Sequence, residues 1–120
     1  MLAQIIGLAV ATGIVAVSGV VMTRAGRPYS AVVLNVHKLI DLAAAAVVGV
    51  GVYRIHRQTG LPGGVWALVI SAGVLFIATL ATGGFLSASK SAPGWALRVH
   101  RVGSWVAAAA LLGSAYAVFR

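Results

Sequence analysis

The feature that most constrains this 120-residue chain is a series of four apolar runs, each long enough to cross a bilayer. A membrane-spanning helix needs about 20 apolar residues. We predict four such helices, at about 2–22, 29–53, 65–86 and 93–119. The first run lacks the basic start of a signal peptide and is longer than its apolar region. The sequence therefore predicts an all-α integral membrane protein.

The shortage of charge agrees with a lipid environment. The chain has nine basic residues and one acidic residue, and 61% of its residues are hydrophobic. Soluble domains carry about 25% charged residues, so a soluble enzyme is excluded, and so much apolar surface also excludes disorder. The net charge of +8 does not predict nucleic-acid binding, because the cations lie at the ends of apolar runs. The absence of cysteine excludes disulfides and thiolate ligands.

The connections between the runs are short, so neighbouring helices must be antiparallel, which predicts an up-down bundle of four helices. The runs are continuous and rich in Ala, without the alternation of barrel strands. The small residues, among them 15 Gly, favour close helix packing in lipid.

An internal repeat appears at an offset of 63 residues. Segment 34–38 matches 97–101, Tyr53 matches Tyr116, and the first and third runs match less well. Chance similarity between Ala-rich helices is the alternative. A true repeat makes the chain a single domain of two tandem helical hairpins, about 1–57 and 64–120. Copies with an even number of spans share one orientation, related by an axis along the membrane normal.

The repeat would place His37 and His100 at equal depth, facing each other across the bundle. Polar residues inside the membrane are costly and usually functional. Both histidines are predicted about 10 Å inside their helices. Haem iron accepts two axial imidazoles, and helix bundles build such sites from facing helices. We therefore predict one haem b between the second and fourth helices, with a quinone site or a structural polar layer as alternatives.

The neighbours of the histidines suit a porphyrin. Ala44 and Ala107 lie seven residues beyond them, on the same helix face, and leave room for a flat ring. Lys38, Arg98 and Arg101 lie where the anionic propionates would end. These five residues complete the predicted cofactor site.

Asp41 has two candidate roles in this site. It could accept a hydrogen bond from the second ring nitrogen of His37, which would fix the tautomer and raise the basicity of the ligand. Alternatively it forms an ion pair with Lys38. The ion pair is favoured slightly, because the matching residue in the second repeat is Ser104, which has no carboxylate.

Four short spans with His-Lys and His-Arg at the starts of the second and fourth resemble the small membrane cytochromes of the b type. The chain looks like a reduced relative of the cytochrome b561 and ferric-reductase-like four-helix cores. The resemblance covers the architecture of all four spans, but only 34–38 and 97–101 in residues. Those families typically hold two haems. Because this chain has no second intramembrane histidine pair, the resemblance implies one haem and electron transfer at one leaflet.

The cations bear on orientation and on partners. Six lie on the side of the first and third linkers and three on the other, which favours a cytoplasmic haem side in a bacterial inner membrane. If Lys38, Arg98 and Arg101 serve the cofactor and are left out, three cations lie on each side, and the preference for this orientation is slight. A membrane quinol or a redox protein is the expected partner, and a homo-oligomer or a larger complex is compatible with the small size.

Two rival functions are a small multidrug transporter and an accessory subunit without its own cofactor. The transporter family matches in length and span number, but it depends on a carboxylate in the first helix. Here the first run has none, and Asp41 lies beside Lys38. No hydrolytic motif is present, and if the chain is a redox enzyme, haem would carry the chemistry while the protein supplies ligation and electrostatics.

The remaining polar and aromatic residues are predicted to be structural. His56 is expected in a solvated loop that spans 54–64. Aromatic residues near the helix ends are expected to anchor the chain at the membrane interfaces. The intramembrane hydroxyls are expected to bond carbonyls of their own helices and to do nothing more: Thr12, Ser18, Ser71, Thr79 and Thr82.

Overall fold

A computed structural model describes residues 2–120, which form four α-helices. They are α1 Leu2–Ala25, α2 Ala31–Thr59, α3 Gly63–Ala88 and α4 Gly94–Phe119. Each helix is long and apolar enough to cross a membrane, and residues 2–120 contain no strand. The predicted all-α fold with four membrane-length helices is confirmed.

The outward surfaces of these helices are apolar. Leu2 is 71% exposed and Val32 is 73% exposed. In water this surface would be unfavourable by about 25 cal/mol per Å², whereas lipid tails cover it without cost. Every helix also satisfies its own backbone hydrogen bonds internally, as a hydrocarbon environment requires.

The chain divides into two compact units, one of residues 2–60 with 118–120 and one of residues 61–117. We call α1 and α2 with their linker hairpin 1, and α3 and α4 with their linker hairpin 2. In hairpin 1, α1 ends where Gly26 adopts a φ of 72° and donates its N–H to the Met22 carbonyl. A left-handed glycine is a common way to end a helix.

The second helix is longer than the sequence predicts. The expected loop at 54–64 is wrong, because α2 continues to Thr59 and ends at Gly60, whose φ is 72° and whose N–H donates to the His56 carbonyl. His56 and Arg57 therefore lie in the last helical turn. Basic side chains are favourable there, because they face the negative end of the helix dipole.

Hairpin 2 is built in the same way. Its linker, like that of hairpin 1, has five residues between the helices. Pro93 immediately precedes the first residue of α4, and its carbonyl accepts a bond from the Ala96 N–H, so α4 begins one residue later than predicted. The two helices approach closely at Gly103, where an added Cβ would lie 3.5 Å from Cγ2 of Thr79.

Candidate functional site

His37 of hairpin 1 is half-buried and is held by the preceding helix. Its Nδ1 lies 2.9 Å from Oγ of Ser18 and 3.0 Å from the carbonyl oxygen of Val15. The imidazole lies against the backbone of α1 at Gly19, which has no side chain; a Cβ added there would be 3.4 Å from Cε1 of His37. A small residue therefore lets the ring approach α1, and two oxygen atoms meet one ring nitrogen.

These contacts determine which nitrogen of His37 carries the proton. The Val15 carbonyl can only accept a hydrogen bond. The Ser18 hydroxyl donates its own hydrogen to that same carbonyl, at 2.9 Å, and so also accepts from the imidazole. Nδ1 must then be the donor. In the neutral ring, Nε2 carries the lone pair that a metal ion would use.

His100 of hairpin 2 has a matching environment. Its Nδ1 lies 3.1 Å from Oγ1 of Thr82. The hydroxyl of Thr82 bonds carbonyls of its own helix, at 2.9 Å to Ala78 and 3.1 Å to Thr79. When the hydroxyl hydrogen points to either carbonyl, Oγ1 can accept from Nδ1 of His100, and this arrangement would give the same tautomer as in His37.

The ring of His100 also lies over a glycine. A Cβ added at Gly83 would be 2.9 Å from Cε1 of His100, closer than real Cβ atoms approach a neighbour. Hairpin 2 therefore requires glycine at this position more strictly than hairpin 1 requires it at Gly19. In both hairpins a hydroxyl residue and the glycine after it form the surface on which the imidazole rests.

The two histidines occupy the same place in their hairpins. Each is the seventh residue of its helix, about 9 Å from the first. Their hydroxyl partners, however, are offset by 64 residues rather than 63, since α1 continues one residue further past Ser18 than α3 does past Thr82. This single residue explains why the first and third apolar runs match poorly at an offset of 63.

The predicted cationic residues lie beside the histidines along the chain. Arg98 and Arg101 are exposed, and Lys38 is half-buried. All three fall in the first two turns and a half of α2 or α4, as a role near the membrane surface requires. Their use as partners of propionates stays a prediction.

The predicted small residues are buried. Ala44 is 6% exposed and Ala107 is 8% exposed, each two turns beyond its histidine. The histidine-bearing face of each helix is therefore its packed face. Their proposed place beside a porphyrin stays a prediction.

Asp41 is half-buried, one turn after His37. Fixing the tautomer of His37, one of the two roles predicted for this carboxylate, falls to Ser18 and Val15. The matching Ser104 donates its hydroxyl to the carbonyl of His100, at 2.6 Å.

The contacts of Ser18 and Thr82 with the histidines are not anticipated from the sequence. Their hydroxyls do bond carbonyls of their own helices as predicted, but they also hold the histidines. The available signal was the pair Ser18-Gly19 recurring as Thr82-Gly83, visible only when the offset is shifted by one residue.

Comparison of the chain with protein-family models, curated proteins and solved structures finds no match. Within residues 2–120, no group of three or more His, Asp or Glu side chains forms a metal site on its own. What distinguishes the chain is the pair of imidazoles, each held by a hydroxyl of the neighbouring helix.

Proposed function

We propose that this chain is a membrane cytochrome of the b type that binds one haem through His37 and His100 and transfers single electrons at one leaflet. The observation that supports the proposal is a shared contact: in both hairpins Nδ1 lies within hydrogen-bond distance of an oxygen of the preceding helix, and donation by Nδ1 would leave Nε2 with its lone pair. Nε2 is then the nitrogen with ligand character. An axial histidine normally donates its other N–H to an oxygen acceptor in this way.

The residues present fit a haem by the chemistry of their donors. His37 and His100 would hold the iron through their imidazoles, and Lys38, Arg98 and Arg101 would supply positive charge for the two propionates. When bound, haem supplies reversible one-electron chemistry, which the side chains of this protein lack. Ala44, Ala107 and Asp41 complete the proposed cofactor site.

The side chains of the protein have three tasks in this proposal. Ser18 and Thr82 orient the imidazoles and increase their basicity by accepting from Nδ1. Gly19 and Gly83 allow the rings to approach the neighbouring backbone. The apolar helices exclude water and lower the dielectric around the ligands, which strengthens the electrostatic influence of the hydroxyls.

The proposed setting is a bacterial inner membrane, with the haem towards the cytoplasm. The excess of cations on the side of the first and third linkers supports this orientation through the positive-inside rule. A membrane quinol is the proposed electron donor, with a redox protein as acceptor on the same side.

A structural role for the histidines is the competing candidate, and one observation favours it. The hydrogen bonds between Ser18 and His37 and between Thr82 and His100 join the two helices of each hairpin. Interhelical hydrogen bonds in membranes stabilise packing by about 0.6 kcal/mol on average. In that case the chain would be an accessory subunit without a cofactor of its own.

Replacing the histidines separates the two candidates. The full-length protein, purified from cells supplied with haem, should show a sharp Soret band, with α and β bands on reduction. His37→Ala and His100→Ala should each abolish this low-spin spectrum, because an axial ligand is lost.

The matched control is His56→Ala, which removes a histidine from the opposite end of α2 and should leave the spectrum unchanged. Far-ultraviolet circular dichroism verifies that each variant keeps its helices. A colourless wild-type protein, or a spectrum that all three variants change equally, would refute the proposal.

A further inference from the structure

Hairpin 1 contains a groove between α1 and α2, and Ser18, the hydroxyl partner of His37, is one of the residues that line it. Its volume is about 510 Å³, and its walls are almost entirely aliphatic. Val10 and Val17 of α1 and Val32 of α2 line it and are more than half exposed. A groove of this kind, on a helix that crosses a membrane, is accessible to lipid.

The groove extends from the linker end of the hairpin into the membrane. Val21 and Val32 line it close to the linker, and Val10 lines it eleven residues earlier in α1. That separation corresponds to about 16 Å along the helix. Half of a hydrocarbon core is about 15 Å thick, so the groove is as long as one leaflet is deep.

The chain segment that follows the linker end of the groove is positively charged, although its arginines do not line the groove itself. Residues 24–30, at the end of α1 and in the linker, include Arg24 and Arg27 and no acidic residue. Both arginines are exposed, and the guanidinium of Arg27 lies 5.4 Å from the ring centroid of Tyr29. The only acid of the chain, Asp41, lies about 15 Å further along α2. An anionic headgroup complements this charge.

The groove depends on small side chains that hairpin 2 does not share. Gly13 lines it, and a Cβ added there meets no atom within 4 Å. The offset that pairs Ser18 with Thr82 places Ile77 at the position of Gly13. Two positions near the linker also carry larger side chains in hairpin 2. Phe85 corresponds to Val21 at the same offset of 64, and Trp95 corresponds to Val32 at the offset of 63 that relates the second helices.

We propose that this groove is a binding site for an anionic glycerophospholipid. One acyl chain lies in the groove along Val10, Gly13 and Val17, and the phosphate lies between Arg24 and Arg27. The site does not require bound haem, because it needs only hairpin 1 and the charge of its linker, but it shares Ser18 with the surroundings of His37.

Native mass spectrometry of the detergent-purified full chain tests this site. The probes are phosphatidylglycerol and phosphatidylcholine with identical acyl chains, so that only the headgroup charge differs. A basic residue near an anionic lipid surface contributes about 1 kcal/mol, so two cations predict at least a tenfold preference for phosphatidylglycerol. Equal binding of the two lipids would overturn the proposal.

Removal of charge locates the headgroup. The double variant Arg24→Gln, Arg27→Gln should abolish the preference for phosphatidylglycerol. Its control is Arg54→Gln, Arg57→Gln, which removes the same charge from exposed positions at the far end of α2 and should keep the preference. An equal loss in both double variants would show attraction to net charge rather than to this site, and would contradict the proposal.

Filling the groove locates the acyl chain. Gly13→Leu should weaken binding of both lipids at least fivefold, because Gly13 lines the groove and the added side chain would occupy part of it, starting from a Cβ that meets no atom within 4 Å. Gly7→Leu is the matched control, since Gly7 also has open space around it but does not line the groove. Unchanged lipid binding in Gly13→Leu would refute the proposal. If Gly13→Leu instead lost a co-purified quinone while its lipid binding stayed the same, the groove would be a quinone site and the proposal would also be refuted.

Discussion

Hairpin 1 and hairpin 2 hold their histidines in the same way but differ in the surfaces around them. Each places the histidine at the seventh position of its second helix, and each secures Nδ1 through a hydroxyl of its first helix. Away from the histidine, Gly13, Val21 and Val32, which line the groove of hairpin 1, correspond to larger side chains in hairpin 2. Asp41 of hairpin 1 also corresponds to Ser104 of hairpin 2. The shared part is therefore the environment of the imidazole, not the packing of the hairpin as a whole.

Comparing the two hairpins also shows which residues around the histidine occur in both and which occur in only one. In each hairpin, a hydroxyl residue and a glycine of the first helix contact the histidine of the second helix. The hydroxyl residue lies 19 residues before the histidine in hairpin 1 and 18 residues before it in hairpin 2. The carboxylate occurs in one hairpin alone. A requirement common to both sites must therefore be met by the hydroxyl and the glycine.

Loss of the hydroxyls should have the largest effect on this shared environment. Thr82→Val keeps the shape of the side chain and removes the hydroxyl that contacts Nδ1 of His100, which the proposal makes the acceptor of its N–H. Removing such an outer partner typically lowers metal affinity about 10–100-fold. Haem retention should fall within that range, and the reduction potential should become more positive, because a less basic imidazole stabilises ferric iron less.

The matched change in hairpin 1 is Ser18→Ala. Its effect should lie at the low end of the range, since the Val15 carbonyl still accepts from His37. Haem dissociation to an excess of apomyoglobin and a redox titration measure the two quantities. An unchanged potential in Thr82→Val would assign that hydroxyl a packing role only.

Alanine at the glycines should reveal how unequal the two ring contacts are. Gly83→Ala puts a Cβ 2.9 Å from Cε1 of His100, so the ring must move. Overpacking of this kind typically costs about 1–3 kcal/mol. Gly19→Ala, with its 3.4 Å approach, should cost less than Gly83→Ala.

Gly84→Ala serves as the control, because an added Cβ there meets nothing within 4 Å. Thermal unfolding in detergent, followed by circular dichroism, gives the order of stability. Equal midpoints for the Gly83 and Gly84 variants would mean that the His100 ring does not rest on α3.

The smallest effect is expected at the position where the hairpins differ in charge. Asp41→Asn should change haem retention less than Ser18→Ala does, because Ser18 and Val15 already hold the proton of His37. Ser104→Ala is the matched change in hairpin 2 and should also be mild, since this hydroxyl bonds only a carbonyl of its own helix turn. A larger loss in Asp41→Asn than in Ser18→Ala would return the orienting role to the carboxylate.

The sequence predicts those features that depend on hydrophobicity and position along one helix. The four apolar runs give the four helices, and His37 and His100 fall at nearly the expected depth. The end of α2 was missed because Arg54 and Arg57 are good helix formers, and the first strong stop signal after them is Gly60. The partners Ser18 and Thr82 were missed because a hydroxyl in a membrane helix bonds its own backbone by default, and its contact across the hairpin depends on helix rotation.

The ratio of haem to protein chain tests the central claim most directly. It is measured on the purified full-length protein by the pyridine haemochrome assay together with amino-acid analysis. Ligation of one iron by His37 and His100 of the same chain predicts a ratio of one. A ratio of zero after expression with ample haem would contradict haem binding, and a ratio of one half would contradict the pairing of these two histidines within one chain.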